Sequence, residues 1–106
     1  MPQNKTYQEV VSTLTAHPPV QAGAMFGMPI LKVGGKAFAG LWKNALAVKV
    51  GQDRVQAVLN AKEGRPFNPG MGPMKEWVLV SAPKTGAKKK WLALADEARK
   101  FVESKL

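Results

Sequence analysis

His17 is the single histidine of the chain and stands directly before Pro18-Pro19. A general base or a metal ligand of this type needs an orienting carboxylate or a second imidazole, and neither is near it in sequence. Its reading is structural: it closes a helix, where the dipole favours a protonated ring. Gly34-Gly35-Lys36 brings glycines and a cation together, as a phosphate loop would. It lacks Walker spacing, however, and runs into a strand pattern instead of a helix, so it reads as a hairpin turn. Gly70-Met71-Gly72, between Pro69 and Pro73, has no βαβ unit around it and reads as a connection. Asp53, Glu63 and Glu76 fall in separate predicted elements. The neighbours Asp96 and Glu97 point in different directions on a helix, so no carboxylate pair forms for acid–base work. The chain has no cysteine, which removes thiol nucleophiles, thiolate metal sites and disulfides together. A non-enzymatic protein without cofactor or metal is expected.

Charge is the next constraint. Sixteen Lys+Arg against seven Asp+Glu leave a net charge of +9 and a pI near 10.1. Such a chain is attracted to nucleic acid, acidic proteins and anionic surfaces. Arg54, Arg65 and Arg99 are its only arginines, and lysine supplies a point charge without the fork that reads bases. Any nucleic-acid contact is therefore expected at phosphates, through Lys84, Lys88, Lys89 and Lys90 of a basic linker, together with Lys36 and Lys49. The competing reading is a lysine surplus that keeps the domain soluble.

The elements that must position these groups follow from periodicity. Tyr7, Val10, Val11 and Leu14 make a helical stripe, with Asn4 as N-cap and the prolines after His17 as its stop. A loop is expected next, then strands over 27–33, 36–42 and 45–50, joined by Gly34-Gly35 and Lys43-Asn44. Val55, Val58 and Leu59 indicate a second helix over 53–62, stopped by Gly64. Residues 65–73 read as a breaker-rich loop with a short edge strand near Phe67, and 74–80 as a further strand. Trp91, Leu94, Ala95, Ala98, Phe101 and Val102 form the apolar stripe of a last helix, preceded by the basic linker over 82–90. With both tight turns two residues long, Ile30, Ala37, Ala39, Leu41, Leu46, Val48 and Val50 share the core face of the sheet. Leu31, Val33, Lys36, Phe38, Trp42, Ala47 and Lys49 share the other. On that second face aromatics alternate with lysines, a surface that suits a protein partner or stacked bases. The order is α-β-β-β-α-β-β-α: one α+β domain over 1–106, an antiparallel sheet with helices packed mainly on one face.

Several of these stretches also form a series. Met25-Phe26-Gly27 follows the first helix, Gly35-Lys36-Ala37-Phe38 turns into an aromatic strand, and Leu46-Ala47-Val48-Lys49 supplies a Leu-x-x-Lys strand. Pro66-Phe67 follows the second helix, and Pro73-Met74-Lys75-Glu76-Trp77 enters the last long strand. In this order they resemble the N-terminal domain of the TfoX/Sxy competence regulators over nearly the whole chain. The resemblance implies the same α-β-β-β-α-β-β-α fold and a bacterial regulatory module that acts on transcription in concert with a DNA-bound activator. Two departures stand against it: the longer competence regulators add a C-terminal helical domain that these 106 residues do not include, and Gly72 stands where relatives often carry arginine.

The polar N-terminus carries no apolar signal segment, and no apolar run reaches the ~20 residues of a membrane helix. A cytoplasmic location and no membrane partner are expected. The leading expectation is a protein-interaction or self-associating module that uses Phe38, Trp42, Lys36, Lys49, Phe67 and Met74. Sequence-tolerant nucleic-acid binding by the lysines is the alternative.

Overall fold

The computed structural model describes residues 4–16, 20–25, 27–68 and 74–106. Helix α1 spans Lys5–Thr15, and the Asn4 side-chain oxygen accepts the Tyr7 backbone N–H at 2.9 Å, satisfying one of the free donors of the first turn. Four strands follow: β1 (Val20–Met25), β2 (Met28–Val33), β3 (Lys36–Trp42) and β4 (Ala45–Lys49). Then come α2 (Gln52–Asn60), the two-residue β5 (Arg65–Pro66), β6 (Trp77–Ser81) and α3 (Ala87–Glu103). The strands form one antiparallel sheet in the order β1-β2-β3-β4-β6-β5. The α+β class is as the pattern predicts.

The three helices of the described residues bury their stripes on one face of that sheet. Tyr7, Val10 and Leu14 of α1, Val55 and Val58 of α2, and Trp91, Leu94, Ala95, Ala98 and Val102 of α3 join a single apolar cluster. The sheet contributes Leu31, Val33, Phe38, Ala39, Leu46, Val48, Val78 and Val80 to it.

Three local differences from the sequence reading matter. Residues 20–25 are a strand, paired with β2 from Val20↔Val33 to Met25↔Met28, where a loop is expected. Alanine and glycine fill its centre, and their weak strand preference hides it. Second, β3 carries a bulge. Gly34 and Gly35 close a two-residue turn at φ 57° and 80°, as predicted, with Val33 paired to Lys36. Two pairs further on, the register slips: Lys32 faces Ala37 and Leu31 faces Ala39, which leaves Phe38 as the extra residue. Leu31, Val33 and Phe38 therefore belong to the helix side, and Ile30 and Ala37 to the opposite side. Third, α3 begins at Ala87, so Lys88, Lys89 and Lys90 lie in its first turn and not in a linker.

The face away from the helices carries a second apolar cluster. Met28, Ile30, Ala45, Ala47, Trp77 and Leu79 join Phe67, which follows β5, in it. The Phe67 ring meets Trp42 at 5.7 Å and Trp77 at 5.6 Å between centroids, and Met74 N–H donates to the Phe67 carbonyl at 2.9 Å. These edge-on and tilted contacts are geometries aromatic pairs favour.

Candidate functional site

The surface expected from Phe38, Trp42, Lys36 and Lys49 does not come together. The bulge sends Phe38 into the helix-side core at 0% exposure, while Trp42 stays on the other face, half-buried, with Lys43 Nζ 5.6 Å from its ring centre. Phe67 is also 0% exposed, and Met74 is half-buried against the same layer. Phe38 and Phe67 thus serve packing, and only Trp42 of these three rings keeps part of its surface exposed.

The lysines separate into two groups. Lys88 pairs with Glu9 of α1 at 3.6 Å and Lys90 with Glu63 at 3.3 Å, which ties the start of α3 to two other parts of the fold. Cations in a first turn oppose the helix dipole, and these carboxylates offset part of that cost. Lys84 and Lys89 are exposed without an ion pair among the described residues. Lys36 lies toward the far end of α3, with Phe101 and Lys105 around a recess of about 130 Å³. Lys49 borders the same recess and reaches Glu76 at 3.9 Å. From Lys88 to Phe101 the helix rises about 20 Å, so the predicted phosphate contacts do not form one patch.

The carboxylates make no catalytic pair. Arg54 Nε binds Glu97 at 2.8 Å, and Arg99 holds Asp96 at 2.7 Å and Glu103 at 2.6 Å. Burial pushes the Asp96 carboxyl up, but hydrogen bonds and charge from Arg99, with Lys100, outweigh it and hold the group below its ordinary range. Asp53 and Lys75 line an open groove of about 410 Å³ between α2 and Trp77, where Asp53 is the one carboxylate among the described lining residues. Among the described residues no group of three or more His, Cys, Asp or Glu could hold a metal ion. His17 and Gly70-Met71-Gly72 lie outside the described residues.

The feature that stands open is the outer edge of β1. Six residues run there with no charge, and the pairing to β2 is unbroken along its length. Pro29, which has no N–H, faces Ala24. A hydrogen-bonded antiparallel pair exchanges two N–H···O bonds, so this pair is of the other kind. By alternation Gln21, Gly23 and Met25 bond inward to β2, while Val20, Ala22 and Ala24 direct their N–H and C=O groups outward. No backbone bond from the described residues meets those outward groups. The far edge of the sheet is different. There β5 has only two residues, one charged and one a proline, the usual means of blunting an edge.

No family model and no curated protein matches this chain. Function must therefore be argued from these surfaces. Sequence reasoning missed β1, although two signals were present. Residues 20–25 mirror β2 across a short connection, and Pro29 sits in a strand, which requires a register that spares its missing donor.

Proposed function

We propose that this chain is a non-enzymatic regulatory module that acts through protein contacts in transcription regulation, in a bacterial cytoplasm, as its resemblance to the TfoX/Sxy N-terminal domains implies. One observation carries the reading: an uncharged, unblunted strand edge on a molecule of net charge +9. An edge of this kind templates pairing with another chain, and proteins that do not use it normally cover it or charge it. No helix of the described residues is long and apolar enough to cross a membrane.

The alternative, sequence-tolerant nucleic-acid binding, draws support from Lys36 and Lys105 beside Phe101 and from Lys84 and Lys89, which carry no ion pairs among the described residues. One pair of variants separates the two readings. Charging the edge (Ala22→Lys with Ala24→Lys) is expected to alter the transcript profile of the cell that encodes the protein. Lys36→Ala with Lys84→Ala and Lys89→Ala is expected to leave it unchanged. Micromolar binding of duplex DNA or single-stranded RNA, with a steep salt slope that flattens in the lysine variant, would overturn the protein-contact reading.

A further inference from the structure

We propose that the β1 edge is the seam of a homodimer, in which a second copy of this chain pairs antiparallel across a two-fold axis and joins two six-stranded sheets into one. The inference rests on the reading that the module works through this edge, and it names the occupant.

Self-pairing satisfies the strand's own geometry. With the axis passing beside Ala22, Ala22 faces the partner's Ala22, and Val20 faces the partner's Ala24. Those are the three residues whose N–H and C=O groups point outward. Each donates one bond and accepts one, so about six main-chain bonds form across the seam.

The side chains fit the same register. Ala22 and Ala24, both exposed, are small enough to let two copies approach on the helix side. On the other side Gln21 falls opposite the partner's Gly23. The Lys32 stem lies over Gly23: its Cε is 3.1 Å and its Nζ 3.5 Å from where a β-carbon would stand. Lys32 forms no ion pair among the described residues, so its ammonium is free to donate to the partner's Gln21 carbonyl. The one polar side chain of the strand thus meets a cation that lies beside it.

Charge permits a second copy despite the +9 total, since the strand itself is neutral and puts no lysine at the backbone seam. Closure points the same way. The opposite edge, Arg65–Pro66, is too short and too poor in donors to continue the sheet, so association stops at two copies.

Sedimentation equilibrium of the full chain over a wide concentration range tests this. The mass is expected to rise from 11.5 kDa toward twice that value, and to stay at 11.5 kDa for Ala22→Lys with Ala24→Lys at unchanged far-UV circular dichroism. Amide hydrogen exchange of the unaltered protein gives a readout that no misfolded variant can confuse. The Val20, Ala22 and Ala24 amides should be protected at high concentration and released on dilution, while those of Gln21 and Gly23 stay protected throughout. A monomer at every concentration, or a dimer that keeps the three outward amides exposed, overturns the proposal. If the chain is monomeric and the lysine pair at the edge still alters the transcript profile, another protein's strand occupies the edge. The homodimer then falls and the interaction reading stands. If neither responds, both fall.

Discussion

Phe67→Ala tests whether the sheet has a second packed layer or an open face. The ring is 0% exposed and touches Trp42 and Trp77 at 5.7 and 5.6 Å. Truncating a buried phenylalanine costs about 3–5 kcal/mol, from lost transfer energy and the cavity left behind. The two aromatic contacts, each about 0.5–1.5 kcal/mol beyond area, place the change in the upper half of that range. A domain of 106 residues holds roughly 5–15 kcal/mol in all, so the variant should fold only marginally. Urea unfolding followed by far-UV circular dichroism gives the loss directly. Acrylamide quenching locates it, because Trp42 and Trp77 border the ring whereas Trp91 lies in the helix-side cluster. Quenching should rise for part of the emission and leave the Trp91 fraction protected. A loss below about 1 kcal/mol, the range of ordinary surface changes and weak contacts, with unchanged quenching, would refute the second layer. The face carrying Trp42 would then be free for a partner after all.

Other perturbations have equally definite outcomes. The Tyr7 hydroxyl is buried without a hydrogen-bond partner among the described residues, so Tyr7→Phe should be neutral or stabilise by up to about 1 kcal/mol, because a buried unpaired donor is itself a cost. A loss of more than that in thermal unfolding would show that the hydroxyl has a partner. Burial also pushes the Tyr7 phenol well above its ordinary value, so the folded state holds the proton more tightly than the unfolded one. Stability from this group is full below about pH 10 and falls as pH climbs from there toward the folded-state value, by at most ~1.4 kcal/mol per unit. The difference between the wild type and Tyr7→Phe in alkaline unfolding isolates it from the lysines. Changing Lys88, Lys89 and Lys90 together to alanine should move stability by less than about 1 kcal/mol, since their ion pairs are exposed and their charges oppose the helix dipole. A larger loss in urea unfolding would make those pairs structural. Gly40→Ala should cost about 1–3 kcal/mol, as its β-carbon would stand 2.8 Å from the Pro29 carbonyl oxygen, a backbone atom that cannot swing aside. A neutral result in the same assay would show that β2 and β3 separate easily.

Regular periodicity made most of this fold readable. The stripe from Trp91 to Val102 and the cap at Asn4 depend only on local spacing, and both stand where the pattern places them. The hairpin glycines and the Lys43-Asn44 turn are legible for the same reason: Gly34, Gly35 and Asn44 have the positive φ that their residue types and the flanking strands foretell, and Lys43 takes a positive φ from its place in the same kind of turn. The pattern misplaces Phe38 because a bulge is a single-residue event with no compositional mark; it inverts the faces of Ile30, Leu31, Val33 and Ala37 on the hairpin side, while Ala39, Leu41, Leu46 and Val48 keep theirs. The pattern misplaces the start of α3 because three lysines after Gly86 look like a solvated loop. Their acidic partners Glu9 and Glu63 are remote in sequence, so the reason for a helix there is visible only in three dimensions.

The candidate site was illegible for a related reason. Composition directs attention to aromatics and lysines, which are conspicuous by type, and here the aromatics are packed while the lysines are dispersed. The edge of β1 is marked instead by what its residues lack: bulk, charge and, at Pro29 beside it, a donor. Neutrality is informative there because of the rest of the chain. A surface whose charge is dominated by lysine would blunt an unused edge at no cost by placing one more lysine on it. Instead Lys32 sits on β2 and folds its stem over Gly23, a residue whose own backbone groups bond inward. The two ends of one sheet thus differ in kind, one closed by Arg65 and Pro66 and one left free to pair. That asymmetry is what a module built to join a single further strand requires.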